Sequence, residues 1–493
     1  MGKHAFSRRR GKEKETPISL APTKAPGASV DWFNRVFIWR AALVAAIGGL
    51  LFGYDWVVIG GASPFYQLYF HLHAKSDAWA IGWAMGCAVM GGIIGATVAG
   101  PLSDKFGRKR LLFAAAGLFC LTSIGTGAAD AFHTFVLWRI LGGVAIGMAS
   151  NLSPVYIAEI APAAIRGKLV AANQLAIAFG VVAAQAVNWL IAQPVAAHLT
   201  HAQLMQTWNV RFGWRWMFIA TACPAFLFLL GVFTVPESPR WLLKTGKLAE
   251  AKKILTRIGG AAYATASIDS VNAGLAEEGN LKPLAELIHP KMRPVLTLGI
   301  VLAVFQQWCG INVIFNYGPT IFKSAGYKIN GALFNIVLTG VAAFFAALLA
   351  MAIVDHVGRR IMMLAGALGL AATYFVLALS IHNHAVGLPV VILVVAAVGI
   401  YSATLAPVTW VVLSEIFPTR VRGAAMSVST FALWTACFIL TFTFPSIKAH
   451  LGLAGTFALY DVICLLGAVF IFLRLAETKG RTLEQIEHGF LGE

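Results

Sequence analysis

The sequence predicts an all-α membrane protein of twelve transmembrane helices arranged in two six-helix halves, and three observations carry that prediction. The composition is 58% hydrophobic and only 12% charged, with a mean hydropathy of +0.75, too little polar surface for a soluble chain of 493 residues. Apolar windows of about 20 residues, the length that crosses about 30 Å of hydrocarbon, recur along the chain. Twelve of them begin near Phe37, Trp79, Leu111, Phe132, Lys168, Trp214, Pro294, Ala332, Ile361, Leu388, Gly423 and Leu453. Finally, motifs at the window ends return about half a chain later, the mark of an internal repeat.

The connections between windows differ sharply in charge. Of the 38 Lys and Arg residues, 31 fall on the side shared by the two termini and the even-numbered connections, 6 on the other side, and Arg139 inside the fourth helix. Basic connections stay in the cytoplasm, so both termini are expected there, with the chain multi-pass in the inner membrane. The net charge of +17 then reflects topology and contact with an anionic lipid bilayer, and no nucleic-acid partner is expected. Residues 1–36 read as a disordered basic cytoplasmic tail without an evident cleavable export signal. All six Cys sit inside apolar windows and read as packing residues, neither a disulfide framework nor a metal site. The His residues show no ligand spacing within a helix and no phosphate-binding glycine loop occurs, so neither an enzyme nor a cofactor is expected.

Three repeated motifs divide the chain. Asp104-Lys-Phe-Gly-Arg-Lys returns as Asp355-His-Val-Gly-Arg-Arg, 251 residues on. Glu159-x-x-Pro162-x-x-x-Arg166-Gly167 returns as Glu415-x-x-Pro418-x-x-x-Arg422-Gly423, 256 residues on. Pro236-Glu237-Ser238-Pro239-Arg240 has its counterpart in Ala476-Glu477-Thr478-Lys479-Gly480-Arg481, after the last helix of each half. The predicted divisions are an amino-terminal half at 37–236, a cytoplasmic linker with short helices at 237–293, a carboxyl-terminal half at 294–475 and a cytoplasmic tail at 476–493. Leu248 to Ile258 and Glu484 to Phe490 are the candidate short helices. Parallel six-helix repeats build many secondary transporters, with the substrate site at the interface of the halves.

Asp55, deep in the first window, is a costly residue there. A charge at the bilayer centre costs about 3 kcal/mol on insertion scales, so the position is either functional or reaches water at a helix end. Counting about 1.5 Å per residue from Arg40, Asp55 lies about 8 Å below the outer boundary of the apolar core. The fourth helix runs the opposite way and brings Arg139 to about 10 Å below the same boundary. Opposite charges at one depth lower each other's burial cost. A carboxylate beside an arginine keeps its charge, and one left alone in a desolvated site takes up a proton, so a pair that can part is a proton switch. A static ion pair that only holds two helices together is the alternative.

Taken in order, these motifs, together with Pro-Glu-Ser-Pro-Arg-Trp-Leu at 236–242, Gln306-Gln307-x-x-Gly310-Ile311-Asn312 and Glu477-Thr478-Lys479-Gly480, resemble those of the sugar porter family of the major facilitator superfamily. The resemblance runs from about Ala42 to Glu487 and implies the major facilitator fold, alternating access and a monosaccharide substrate. It also implies bacterial sugar/proton symport with the proton as coupling ion. Proton-coupled members carry an Asp at the place of Asp55 and an Arg in the fourth helix, whereas mammalian facilitative members carry Asn. Uncoupled carriage of a sugar or polyol, and a sugar sensor that transports nothing, are the competing functions. A monomer is expected to suffice.

Amides suit sugar recognition because each both donates and accepts. Gln306, Gln307, Asn312 and Asn316 cluster on the seventh helix around Gly310, where a helix break would turn side chains into a cavity, and Gln174 is the amino-half counterpart on the fifth. Interhelical hydrogen bonding is the competing use of such amides. Trp410 and Trp434 match family tryptophans that pack near the sugar. The sequence departs from xylose- and glucose-specific relatives at Leu433, Ala343, Asn316 (before Tyr317) and Val181, where polar or tyrosyl groups are lost or moved, so hexose, pentose and polyol all stay open. At the cytoplasmic ends, Asp104, Arg108, Glu159 and Arg166, with Asp355, Arg359, Glu415 and Arg422, read as a gate. Such sets lock two halves together facing outward and break on opening inward.

Overall fold

The computed structural model describes residues 33–73, 76–196, 200–278, 287, 289–290, 292–418 and 421–479, with the backbone alone at 274–278 and 355. In hydrocarbon every backbone N–H and C=O must find its partner inside its own segment, and helices do that. Six spanning helices form the first half: α1 (Arg35–Tyr69), α2 (Ala78–Phe106), α3 (Arg108–Gly127), α4 (Phe132–Ile160), α5 (Ala163–Ile191) and α6 (Asn209–Thr234). The second half holds α7 (Arg293–Ser324), α8 (Ile329–Val357), α9 (Arg359–His382), α10 (Leu388–Ile416), α11 (422–451) and α12 (453–474). The last two are continuous in hydrogen bonding, but Gly452, at φ 68° and ψ 178°, turns the chain between them.

Each helix starts within a few residues of its apolar window, since about 20 apolar residues are what a crossing needs. All four motif arginines sit in the first turns of helices: Arg108 in α3, Arg166 in α5, Arg359 in α9 and Arg422 in α11. Small residues set the packing. Gly91 and Gly143 let α2 and α4 meet backbone to backbone, Gly53 and Gly180 do the same for α1 and α5, and Gly467 of α12 takes the Phe305 ring of α7. Between the halves, Ser238 caps the helix Pro239–Lys244 by accepting from Trp241 N at 3.2 Å, with Pro239 at its first position. The helix Leu248–Glu278 follows and bends at Gly259 and Gly260, so its first stretch covers the expected Leu248 to Ile258. Most of the amino-terminal tail and the Glu484 to Phe490 segment lie outside the described residues.

The halves touch mainly at the end away from the Gly-Arg motifs. There Gly82 of α2 meets the Phe442 carbonyl of α11, and Gly60 of α1 faces the Phe315 and Asn316 carbonyls of α7. Trp189 of α5 packs on Phe334 of α8 with ring centroids 5.5 Å apart.

Candidate functional site

Two continuous helices hold the charged pair. Arg139 of α4 donates from Nη1 to Asp55 Oδ1 at 2.8 Å and Oδ2 at 2.9 Å, and from Nη2 to the Asp55 carbonyl at 3.4 Å. Asp55 is 5% and Arg139 2% exposed. The guanidinium lies 5.3 Å from the Phe218 ring, and its Nε has no hydrogen-bond partner. A buried pair of this kind is costly to break from one side: removing one partner strands the other, at about 3–5 kcal/mol. Among the described residues, the hydrogen bonds of these two side chains involve no other charged group.

The amides gather where α7 breaks. Its first segment ends at Trp308 and its second starts at Ile311, with Gly310 between them at φ 87°, a backbone angle that favours glycine. A Cβ there would also run into the Tyr460 ring. The break places Gln306, Gln307 and Asn312 side by side: Gln307 Nε2 donates to Gln306 Oε1 at 2.5 Å, and Asn312 Nδ2 donates to Gln307 Oε1. About one turn further on, Asn316 is buried with Oδ1 unpartnered. Helix α11 is pinned alongside, since Trp308 Nε1 donates to the Ala436 carbonyl at 3.0 Å and the Tyr317 hydroxyl to that of Thr441 at 2.8 Å.

Trp434 of α11 reaches across to the other half. Its ring lies 6.0 Å from Phe52 and 5.6 Å from Trp56 on α1, and it fills the space over Gly92 of α2. Thus the helix that holds Asp55 also touches the tryptophan matched to sugar packing. Gln174 is exposed on α5, and Trp410, 36% exposed, lies on the second segment of α10 beyond a break at Thr404. Neither hydrogen-bonds to the amide cluster among the described residues.

At the Gly-Arg end the charged motifs close within each half. Arg108 forks onto Glu159, Nε to Oε2 at 3.0 Å and Nη2 to Oε1 at 3.1 Å, and its Nη1 reaches Asp104 at 3.0 Å. Arg359 holds Glu415 with Nε at 3.2 Å and Nη2 at 3.0 Å both on Oε1, while the Thr478 hydroxyl donates to Oε2 at 2.6 Å. This differs from a lock spanning the two halves, for a simple geometric reason: Arg and Glu are brought together by the packing of α3 on α4 and of α9 on α10. Arg166 is exposed, Arg422 donates to the Phe417 carbonyl at 3.3 Å, and the Asp355 side chain lies outside the described residues.

Residues that the motif reading passed over complete this end. Glu237 accepts from the Arg108 and Lys109 backbone N–H groups at 2.9 and 3.0 Å, and so caps α3 from beyond α6. Glu477 caps α9 from beyond α12, accepting from Arg359 N at 2.9 Å and Arg360 N at 3.1 Å. Both glutamates stand in the repeated third motif, which was the available signal. For Phe52 and Trp56 no spacing marked them, because aromatic residues on a membrane helix face lipid as readily as protein.

Comparison with known proteins gives this arrangement its context. The family model described as "Sugar (and other) transporter" matches residues 41–490. The D-xylose-proton symporter of Escherichia coli (strain K12) is 36% identical over 483 residues, covering 92% of this chain and 96% of the relative. The arabinose-proton symporter of Bacillus subtilis (strain 168) is 34% identical, covering 96% and 99%. Among solved structures, the partially occluded inward-open conformation of the xylose transporter XylE from E. coli superposes with a TM-score of 0.80 at 34% identity, over 91% of this chain and all of the other. With its two six-helix halves and the matching motifs, the chain belongs to the sugar (and other) transporter family of the major facilitator superfamily and is a secondary active sugar transporter working by alternating access.

Proposed function

We propose that this chain carries a monosaccharide, a pentose or hexose, into the cell across the inner membrane in symport with a proton, with both termini in the cytoplasm and the monomer as the working unit. The observation that carries this reading is the Asp55–Arg139 pair, with both carboxylate oxygens on Arg139 Nη1 and both residues buried. Protonation of Asp55 releases Arg139 from its carboxylate, and α1 and α4 are then free to shift against each other. Because α1 also bears on Trp434 through Phe52 and Trp56, a shift at Asp55 alters the sugar's surroundings in the same movement.

In this assignment Gln306, Gln307, Asn312 and Asn316 supply hydrogen bonds to sugar hydroxyls, Gln174 approaches from the other half, and Trp434 and Trp410 offer apolar faces to the C–H groups. Within-half pairing of Arg108 with Glu159 and of Arg359 with Glu415, joined to contacts between the halves at the opposite end, fits a transporter facing inward. The relatives' substrates, xylose and arabinose, make a pentose the first candidate. The altered positions Val181, Ala343, Asn316 and Leu433 are where a hexose or a polyol would be admitted instead.

The test is uptake by proteoliposomes holding the purified protein, with D-xylose, L-arabinose, D-glucose and a polyol such as xylitol as labelled substrates and an imposed pH gradient as the drive. A one-unit gradient is worth about 1.4 kcal/mol, about a tenfold accumulation for one proton per sugar. Equilibration without accumulation would point to the uncoupled carrier, and accumulation that persists in Asp55→Asn would remove the proton from this residue.

A further inference from the structure

Helix α5 carries one more amide, at the closed end of the seam. Gln185 is 2% exposed, and neither its Oε1 nor its Nε2 has a hydrogen-bond partner. The side chain is aimed at the other half: its Oε1 lies against Gly340 of α8, where an added Cβ would overlap it. At about 100° per residue, Gln174, Val181 and Gln185 fall within about 20° of one line along α5. Exposure falls along that line from exposed Gln174 through half-buried Val181 to buried Gln185. Since its outer end abuts α8, the line runs along the surface that faces the carboxyl-terminal half.

A buried amide with every hydrogen bond unmade is a cost in this state. A residue serving only to pack α5 on α8 would do better apolar, and one serving only to join them would find a partner. The unmade bonds fit a group whose partner is present in another state, when the outer seam is open. An amide donates and accepts together, as a sugar hydroxyl requires. We propose that Gln185 is an outer substrate contact: with α5 and α8 parted it hydrogen-bonds a hydroxyl of the arriving monosaccharide, and it loses that partner as the seam closes behind the sugar. This rests on the sugar-transport reading above.

The test pairs a residue with a hydroxyl. Wild-type protein in proteoliposomes is assayed for uptake of D-xylose and D-glucose, and each monodeoxy analogue of the sugar carried is then measured as an external competitor, in wild type and in Gln185→Leu. One analogue should compete about tenfold more weakly than its parent in wild type, the effect of one lost hydrogen-bonding site. In Gln185→Leu the parent should weaken by about the same factor and that one discrimination should vanish, while the other analogues keep their ratios. Parent-to-analogue ratios that all stay as in wild type would overturn the proposal, whatever happens to the rate, because a structural amide changes all ligands together. Should the leucine variant fail to reach the membrane, Gln185→Ala carries the same comparison. If wild type takes up neither sugar, the transport reading fails before any variant is made and the proposal falls with it; uptake with unchanged ratios overturns the proposal alone.

Discussion

In the amino-terminal half the buried charges sit on unbroken helices, while in the carboxyl-terminal half the buried amides sit where helices break. Helices α1 and α4 run continuously through Asp55 and Arg139. Helices α7 and α10 are interrupted at Gly310 and Thr404. The physical demands differ. A charge pair out of water survives only if two groups are held within hydrogen-bond distance of each other, which favours rigid, closely packed helices with glycine contacts such as Gly53 and Gly180. Binding a polyhydroxyl ligand requires several donors and acceptors to converge, and a left-handed residue at 310 turns neighbouring amides toward one another in a way a straight helix cannot. At the Gly-Arg end, where both halves need the same thing, they are near copies: Gly107 and Gly358 adopt φ of 96° and 103°, and Glu237 and Glu477 cap the following helices.

The largest expected effect breaks that comparison at the charge pair. Asp55→Asn should abolish accumulation driven by a pH gradient, a loss of about tenfold in the sugar ratio for one pH unit, while exchange of sugar across the membrane continues. Arg139→Met alone should destabilise the protein by about 3–5 kcal/mol by stranding the Asp55 carboxylate, and the double variant Asp55→Asn, Arg139→Met should recover most of that stability without recovering coupling. Thermal unfolding in detergent measures the first part and gradient-driven uptake the second.

In the other half the prediction reverses. Gln307→Leu should raise the KM for sugar by about tenfold, equivalent to about 1.4 kcal/mol, and leave the accumulation ratio intact once transport is saturated. If Gln307→Leu uncouples the proton, the division of labour between the halves is wrong. Gly310→Ala should cost about 1–2 kcal/mol of stability for the left-handed angle, with a further penalty against the Tyr460 ring, and should weaken sugar binding together with stability.

The smallest effects test the likeness of the ends. Glu237→Gln and Glu477→Gln should each destabilise by about 1 kcal/mol, as loss of a helix cap does. Burial alone would push the Glu477 carboxyl up, but backbone N–H groups of Lys479, Arg359, Arg360 and Thr478 outweigh it and hold the group below its ordinary value. A carboxyl lowered by folding contributes stability above its unfolded pKa and loses it as pH falls through the folded one. The stability gap between wild type and Glu477→Gln should therefore be full at neutral pH and close as the medium is acidified through and below the ordinary carboxylate range.

Much of this was open to reading in the chain. Windows of apolar residues placed all twelve helices because membrane crossing fixes a length. Because the rise per residue is constant in a helix, Asp55 and Arg139 fall at one depth from their positions in the chain alone. Gly310 marked the break in α7 because glycine next to a run of amides is poor helix and good turn. The partner choice at the Gly-Arg end was less accessible: Arg108 and Glu159 are 51 residues apart and each motif contains several charges, so only the packing of α3 on α4 selects the pair.

The sequence by itself determined the membrane class, the two-fold repeat, the identity of the buried ionisable pair and the amide cluster, since each depends on local composition, helical rise or motif spacing. Tertiary structure decided that Arg108 and Arg359 pair with glutamates inside their own halves, that Trp434 lies against Phe52 and Trp56, and that Gln185 is shut without a partner against Gly340. Those contacts depend on how one helix is rotated and set against another, and side-chain rotation about a helix axis in a wholly apolar surround leaves no periodic trace in the chain.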